Sequence, residues 1–265
     1  KKSLAGARLA YDVIDHLDVF PHDRGGLNRN HHRALEEADA VFAVSRLLAE
    51  DVRSRRADVV YLPNGVDFAR FAAPADPAAI PEELARSRAE RPAAGYVGAL
   101  ARWVDSNLLA ALAERRPDWD FFLVGEALDD SFERLESSRP SNLVLLGPRP
   151  YSSIPSVLSA LDVGLIPFRL GPEGMNASPI KMYEYLAAGL PVVATPIREC
   201  EEIPEVEVAS SAAGFSDLLD RARGSRRSEE FRRRARDRAR ENDWSERART
   251  AMERFGLRPP SAPSR

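Results

Sequence analysis

Lys181 is an odd residue in a chain that otherwise relies on arginine for positive charge, because Lys1, Lys2 and Lys181 are its only lysines. It stands three positions before Glu184, in a segment that runs Ser178-Pro179-Ile180-Lys181-Met182-Tyr183-Glu184 and stops at Gly189. Ser178 suits an N-cap, Pro179 the first helical position, and Gly189 the left-handed position beyond the last turn. The spacing therefore predicts a helix over residues 178–188, with Ile180, Tyr183 and Ala187 turned toward a sheet. A cation in the first turn meets the positive end of the helix dipole, where anions are preferred. That conflict disappears if a diphosphate sits at this N-terminus, with Lys181 and free backbone N–H groups converging on it. Glu184, one turn later, could accept two hydrogen bonds from a vicinal diol such as a ribose offers. The same spacing also fits a routine i,i+3 ion pair on a helix surface.

Other candidates are thinner. Gly98 and Gly125 each follow an apolar run, where the lack of a side chain lets backbone approach a phosphate or sugar or simply makes a turn. Glu126 follows Gly125 as a loop acid, and Tyr151 closes the run Pro148-Arg149-Pro150-Tyr151 as a packing residue or a stacker. Asp15 and His16 end the first apolar run, an imidazole and a carboxylate suited to taking or orienting a proton, or else a capping acid and an exposed histidine. His22, His31 and His32 do not combine with acids at metal spacing, so no metal is expected.

Along the chain, short apolar runs alternate with helical patterns. Strands are predicted over residues 9–14, 40–44, 59–62, 94–97, 119–124, 142–145, 163–166 and 191–194. Helices are predicted over 28–38, 46–55, 106–115, 152–160 and 178–188. Such alternation with short connections argues for an α/β fold with parallel, doubly wound sheets, whose ligands sit at the carboxyl ends of strands. Residues 63–92 carry five prolines and read as a connector, which puts a boundary near residue 75. After Phe215 the pattern is helical, with a break at Asn242-Asp243-Trp244.

Composition bounds the class. The chain has 265 residues and 44% hydrophobic content, enough for one large or two modest domains. No apolar run approaches the roughly 20 residues that span a bilayer. A lone cysteine, Cys200, forbids an internal disulfide and suits a reducing compartment, so cytoplasm is the default. A net charge of −3 argues against nucleic acid as a partner. Residues 221–240 hold ten arginines against three acids, either a solvated helix face or a patch for acidic lipid headgroups at the inner membrane face. The first residue is not methionine, so the chain is expected to be a piece truncated at its N-terminus.

The pattern Pro179-x-Lys181-x-x-Glu184-Tyr185-x-Ala187-x-Gly189-x-Pro191-Val192-Val193 resembles the donor-site helix of GT-B retaining glycosyltransferases, glycosyltransferase family 4 in particular. Val44-Ser45-Arg46, Pro63-Asn64-Gly65-Val66-Asp67, Gly95-Tyr96-Val97-Gly98, Phe122-Leu123-Val124-Gly125, Leu145-Leu146-Gly147 and Asp162-Val163-Gly164-Leu165-Ile166-Pro167 agree with that family in order. Tyr11-Asp12-Val13-Ile14-Asp15-His16 with Phe20-Pro21, and Arg102-Trp103-x-Asp105, resemble bacterial members that build cell-surface polysaccharides. The resemblance implies a GT-B type fold. Residues 1–75 would be the end of an acceptor-side domain, 76–241 a nucleotide-sugar donor domain, and 242–265 a terminal helix and tail.

It further implies transfer of a sugar, with retention, from a UDP- or GDP-sugar to a glycan or lipid-linked acceptor hydroxyl, with no cofactor required. Lys181 and Arg102 would hold the diphosphate beside Gly98, with Lys181 taking the larger share. Gly125, Glu126, Tyr151, Asn176, Ala177 and Ser178 would line the donor site, Glu184 would hold the ribose, and Asp15 with His16 would meet the acceptor in an interdomain cleft. Closure is expected about residues 63–92. The chain departs from the family in having Asn176 where the first of two glutamates often stands, and Ala99 after Gly98 where an arginine often follows. Those departures keep two rivals open: a nucleotide-sugar-binding subunit without catalysis, and a GT-B sugar-nucleotide epimerase or hydrolase.

Overall fold

The computed structural model describes residues 7–19, 24–171, 174 and 176–257. Phe20, Pro21 and His22 from the sequence reading lie outside the described residues. The chain opens with β1 (Ala10–Val13), a 3₁₀ turn (Leu17–Val19), α1 (Arg24–Glu37), β2 (Ala40–Ala43), α2 (Arg46–Arg53) and β3 (Val60–Tyr61). These strands form a parallel sheet in the order β1-β2-β3. Every residue of β2 is buried, as a strand covered on both faces must be. Ser45 caps α2 by accepting from the Leu48 amide at 3.2 Å. Leu48, Ala49 and Val52 then pack against Val13, Leu35 and Val41 to make a small separate core.

The proline-rich connector is more ordered than its composition suggests. It holds α3 (Phe68–Ala72), a 3₁₀ turn (Pro77–Ala79) and α4 (Glu82–Glu90). Its prolines sit outside helix interiors, at Pro77 in a 3₁₀ first turn and at Pro81 as an N-cap, where a missing N–H costs nothing. Val66, Phe71 and Leu84 already belong to the larger core. The change of core therefore falls between Tyr61 and Val66, earlier than the boundary expected near residue 75.

That larger core is built by β4 (Ala93–Val97), α5 (Ser106–Arg115), β5 (Asp120–Val124), α6 (Glu133–Ser138), β6 (Leu143–Gly147), α7 (Ile154–Ala160), β7 (Val163–Ile166), α8 (Ile180–Ala187), β8 (Val192–Ala194), α9 (Arg198–Glu201) and β9 (Val206–Val208). α10 (Ala212–Arg227), α11 (Glu229–Glu241) and α12 (Trp244–Arg254) follow. The six strands are all parallel in the order β6-β5-β4-β7-β8-β9. The order reverses between β4 and β7, and ligands of such sheets bind in the crevice outside the strand ends at that reversal. β9 escaped the sequence reading because three residues with Glu207 in the middle carry no periodic signal.

The two units meet at a double crossing. The Val66 amide donates to Asn242 O at 3.0 Å and the Trp244 amide to Val66 O at 3.1 Å, so the two passages run as a short parallel ladder. A side chain at Gly65 would come within 2.8 Å of the Trp244 ring, which is why the passages lie so close. α12 then returns to the first unit, placing Phe255 6.4 Å from Phe42 and pairing Arg254 with Asp58.

The arginine-rich stretch is tied into this framework. The Arg226 guanidinium donates to Ser159 O at 2.7 Å, and Arg232 donates to Arg226 O at 2.8 Å. Arg234 pairs with Glu230, and Arg240 with Asp237. Among the described residues no helix is long and apolar enough to cross a membrane.

Candidate functional site

At the β4/β7 reversal lies a cleft of about 420 Å³, a size that suits a small ligand. Its walls come from the ends of β4 and β5 (Val97, Gly98, Val124, Gly125, Glu126), the loop after β6 (Pro148, Arg149, Tyr151) and the start of α8 (Ile180, Lys181, Glu184). Sequence reasoning had placed Gly98, Gly125, Glu126, Tyr151, Lys181 and Glu184 at one site, and the fold brings all six together.

Two glycines set its floor. Gly98 has φ +145° and Gly125 φ +156°, conformations that L side chains rarely adopt. A Cβ on Gly125 would stand 1.9 Å from Gly98 O, so the two loops touch backbone to backbone. A Cβ on Gly98 would meet Lys181 Cε at 2.9 Å and Nζ at 3.3 Å. Both are close-approach glycines rather than simple turn residues.

The Lys181 ammonium lies 5.1 Å from the Tyr96 ring centroid and 4.9 Å from that of Phe168. Aromatic faces attract a cation but do not replace water, and burial lowers its pKa from 10.5 to about 8, against a smaller opposing pull from Glu184. The residue as a whole is only half-buried. The desolvated ammonium decides its electrostatics and the remaining exposure its access to a ligand. A lysine so placed is short of counter-charge, which an anion in the cleft would supply.

Glu184 is buried, at 8% exposure. Burial raises its carboxyl pKa, while the hydrogen bond from Tyr151 and the charge of Lys181 act the other way. The Tyr151 hydroxyl donates to Glu184 Oε1 at 2.9 Å. The floor is fixed from behind by Tyr185, whose buried hydroxyl accepts from the Val97 amide at 2.8 Å.

Several expectations are corrected. Ser178 does not cap α8: the helix begins at Ile180 after Pro179, and no side chain bonds its first turn. The Ser178 hydroxyl is taken by the connector instead, accepting from the Asn64 amide at 3.2 Å, while Asn64 Nδ2 donates to Ser178 O at 2.8 Å. Ile180 is 38% exposed and faces the cleft rather than the sheet, where Met182, Tyr185 and Leu186 join Tyr183 and Ala187. Arg102 does not line the cleft. Its backbone amide bonds Asp129 at 2.9 Å, and its guanidinium crosses to Val19 O at 3.2 Å, bridging the two units. Asn176 and Ala177 are half-buried in the loop before α8 and also lie outside the cleft lining. Met175 lies outside the described residues.

Asp15 and His16 line a different groove of about 190 Å³ in the first unit, with His31 and His32 from α1 and Asp51 and Arg55 from α2 and its end. The Tyr11 hydroxyl lies 2.8 Å from His31 Nδ1, and burial with the neighbouring His32 lowers the His31 pKa. This groove shares no lining residue with the first cleft. Among the described residues no group of three or more His, Cys, Asp or Glu could hold a metal ion.

Residues 91–219, which include every residue lining the cleft, match the family model described as glycosyl transferases group 1. This stretch is similar to a group 1 glycosyltransferase domain. The chain is also 26% identical over 235 residues to the Bacillus subtilis (strain 168) protein TuaH, whose name assigns it to teichuronic acid biosynthesis as a glycosyltransferase. That match covers 85% of this chain and 58% of TuaH, so the chain spans little more than half of that relative. Among solved structures, Anabaena HepE in complex with UDP-glucose superposes with a TM-score of 0.75 at 19% identity, over 94% of this chain and 72% of HepE. WaaG, a glycosyltransferase involved in lipopolysaccharide biosynthesis, superposes with a TM-score of 0.63 at 20% identity, over 93% and 75%. The fold is of the GT-B type.

The cleft also contains residues that the sequence reading does not single out. Tyr96 and Phe168 form the slot for Lys181, and only the fold brings the ends of β4 and β7 against one side chain. Arg149 lines the cleft and adds a second cation to its wall. It had a visible signal, since it stands between two prolines in the loop already noted for Tyr151.

Proposed function

We propose that the protein transfers a glycosyl group from a UDP-sugar to an acceptor hydroxyl in the synthesis of a cell-surface polysaccharide or glycoconjugate. The observation that carries the reading is Lys181, with its ammonium in an aromatic slot above Gly98 at the strand-order reversal, and Glu184 one turn along the same cleft wall. In this reading the diphosphate lies over Gly98 and the N-terminus of α8. Lys181 neutralises the charge that grows on the leaving diphosphate, an interaction that strengthens as the glycosidic bond breaks. Arg149 replaces the Arg102 of the sequence reading as the second cation. Glu184 accepts from the ribose hydroxyls.

Retention of configuration follows the resemblance of the α8 segment to retaining enzymes. TuaH supports a bacterial envelope polymer as the product, and the HepE complexes support UDP as the carrier. The acceptor-side role belongs to Asp15 and His16 at the end of β1, in their own groove, which requires the two units to close for donor and acceptor to meet.

Isothermal titration calorimetry with UDP, GDP and ADP tests the donor site directly. Selective UDP binding, weakened by both Lys181→Ala and Glu184→Ala, is the expected result. Absence of any nucleotide binding by the folded chain would refute it.

A further inference from the structure

The cleft wall contains a contact that the donor reading does not require. Tyr151 belongs to a 3₁₀ turn in the loop after β6, and its hydroxyl reaches across the cleft to Glu184 Oε1 on α8. Its ring is held from the opposite side by α3. Phe71 meets it edge-on at 5.6 Å, and the Arg70 guanidinium lies 5.2 Å from its centroid, itself fixed by Asp67 at 2.9 Å. Tyr151 is nevertheless 52% exposed, so this is not a residue buried for packing. A tyrosine with its ring clamped and its hydroxyl aimed at one carboxylate oxygen has little freedom left, and neither has that carboxylate.

The geometry points to Tyr151 as a positioning residue for the donor ribose: its hydroxyl locks Glu184 in the orientation that presents the remaining acceptor sites to a vicinal diol. This rests on the ribose role proposed for Glu184. The counting is favourable. An ionised carboxylate offers about four lone-pair sites on two oxygens. Tyr151 takes one on Oε1, which leaves Oε2 and the second site of Oε1 for the two ribose hydroxyls.

The contact also bears on charge. A neutral carboxyl would turn one acceptor into a donor and spoil the pairing with a diol. Burial favours the neutral form of Glu184, and the Tyr151 hydrogen bond favours the ionised form, as Lys181 does. The other charged or titratable groups nearby are Tyr185, next in the chain, and Glu126 and Arg149 on the facing walls. Asp67, which caps α3, and Arg70 on α3 act on Tyr151, and α11 brings the aliphatic stem of Arg232 against Gly189 at the far end of α8. Loss of the Tyr151 hydroxyl therefore moves protonation of Glu184 to higher pH.

The test is calorimetric titration of wild type, Tyr151→Phe and Glu184→Ala with UDP and with 2′,3′-dideoxyuridine diphosphate, between pH 5 and 8. Phenylalanine keeps the ring, its contact with Phe71 and its contact with Arg70, and binding of the dideoxy nucleotide reports that the variants are folded. The expected result is UDP binding by Tyr151→Phe weakened about tenfold, the scale of one hydrogen bond to a charged group. Dideoxy binding should be unchanged, and the acid limb of UDP binding should move to higher pH. Equal losses for both nucleotides, or a UDP profile matching wild type, overturn the assignment of Tyr151 and leave Glu184 in place if Glu184→Ala loses UDP affinity but keeps dideoxy affinity. Wild-type UDP affinity in Glu184→Ala overturns the ribose role itself, and the Tyr151 proposal with it.

Discussion

Replacing Lys181 with methionine should make the protein more stable and weaken the UDP binding proposed above. The magnitude follows from the slot between Tyr96 and Phe168. A fall in pKa from 10.5 to about 8 corresponds to about 3 kcal/mol of penalty on the charged form. The half-exposure of the residue and the attraction of two ring faces both reduce it, leaving about 1–2 kcal/mol. Methionine has a similar volume and no charge, so it recovers that amount. The sign fixes the pH window. Below about pH 8 the ammonium persists in both folded and unfolded chains, and the full penalty is present. Between about 8 and 10.5 the folded chain gives up its proton first, and the penalty fades. Urea unfolding of wild type and variant at pH 7 and pH 10.5 should therefore show a gap that closes with rising pH. UDP titration at pH 7 should show a loss of roughly 10- to 150-fold, the range for a hydrogen-bonded charge. A variant less stable than wild type at pH 7, or a gap independent of pH, would refute the reasoning.

Two further outcomes follow from the backbone and from the corrected site. Gly125→Ala should cost about 3 kcal/mol or more, because its Cβ would stand 1.9 Å from Gly98 O and at a φ of +156°, and melting should fall by roughly 6–12 °C; Gly224→Ala, in the interior of α10 with no atom within 4 Å, should instead gain about 0.5–1 kcal/mol, and differential scanning calorimetry compares them. Arg102→Ala should leave UDP affinity unchanged in the same titrations, because its guanidinium bonds Val19 O and lies outside the cleft lined by Lys181 and Glu184.

The sequence carried the strand–helix rhythm well because both sheets are parallel and their central strands are buried on both faces. β2, β4 and β7 then read as continuous apolar runs, and α5 announces itself with an Asp105 cap and a leucine stripe. It carried the cleft because glycines at 98 and 125, and the Lys181–Glu184 pair, are local signals. It failed where a role depends on a distant partner. Ser178 has the chemistry of a cap, yet Asn64, more than a hundred residues earlier, claims its hydroxyl. Arg102 sits close to Gly98 in sequence but leans toward Val19 across the units. The connector looked like a breaker from its prolines, and only the burial of Phe71 and Leu84 shows it to be part of the larger core.

Trp244 gives the double crossing an optical signature. The chain has three tryptophans, and they sample three environments: Trp119 is fully buried, Trp103 is half-buried beside the larger core, and Trp244 is 47% exposed against the bare backbone of Gly65. The ladder holds the Trp244 indole against Gly65 at the seam between the units, so a movement that loosens this contact changes how much water that ring sees. In a chain with Trp103 replaced by phenylalanine, Trp119 would supply a constant blue background and Trp244 the moving red edge. The seam between the units thus carries its own fluorophore, able to report closure without any label attached to the donor or the acceptor.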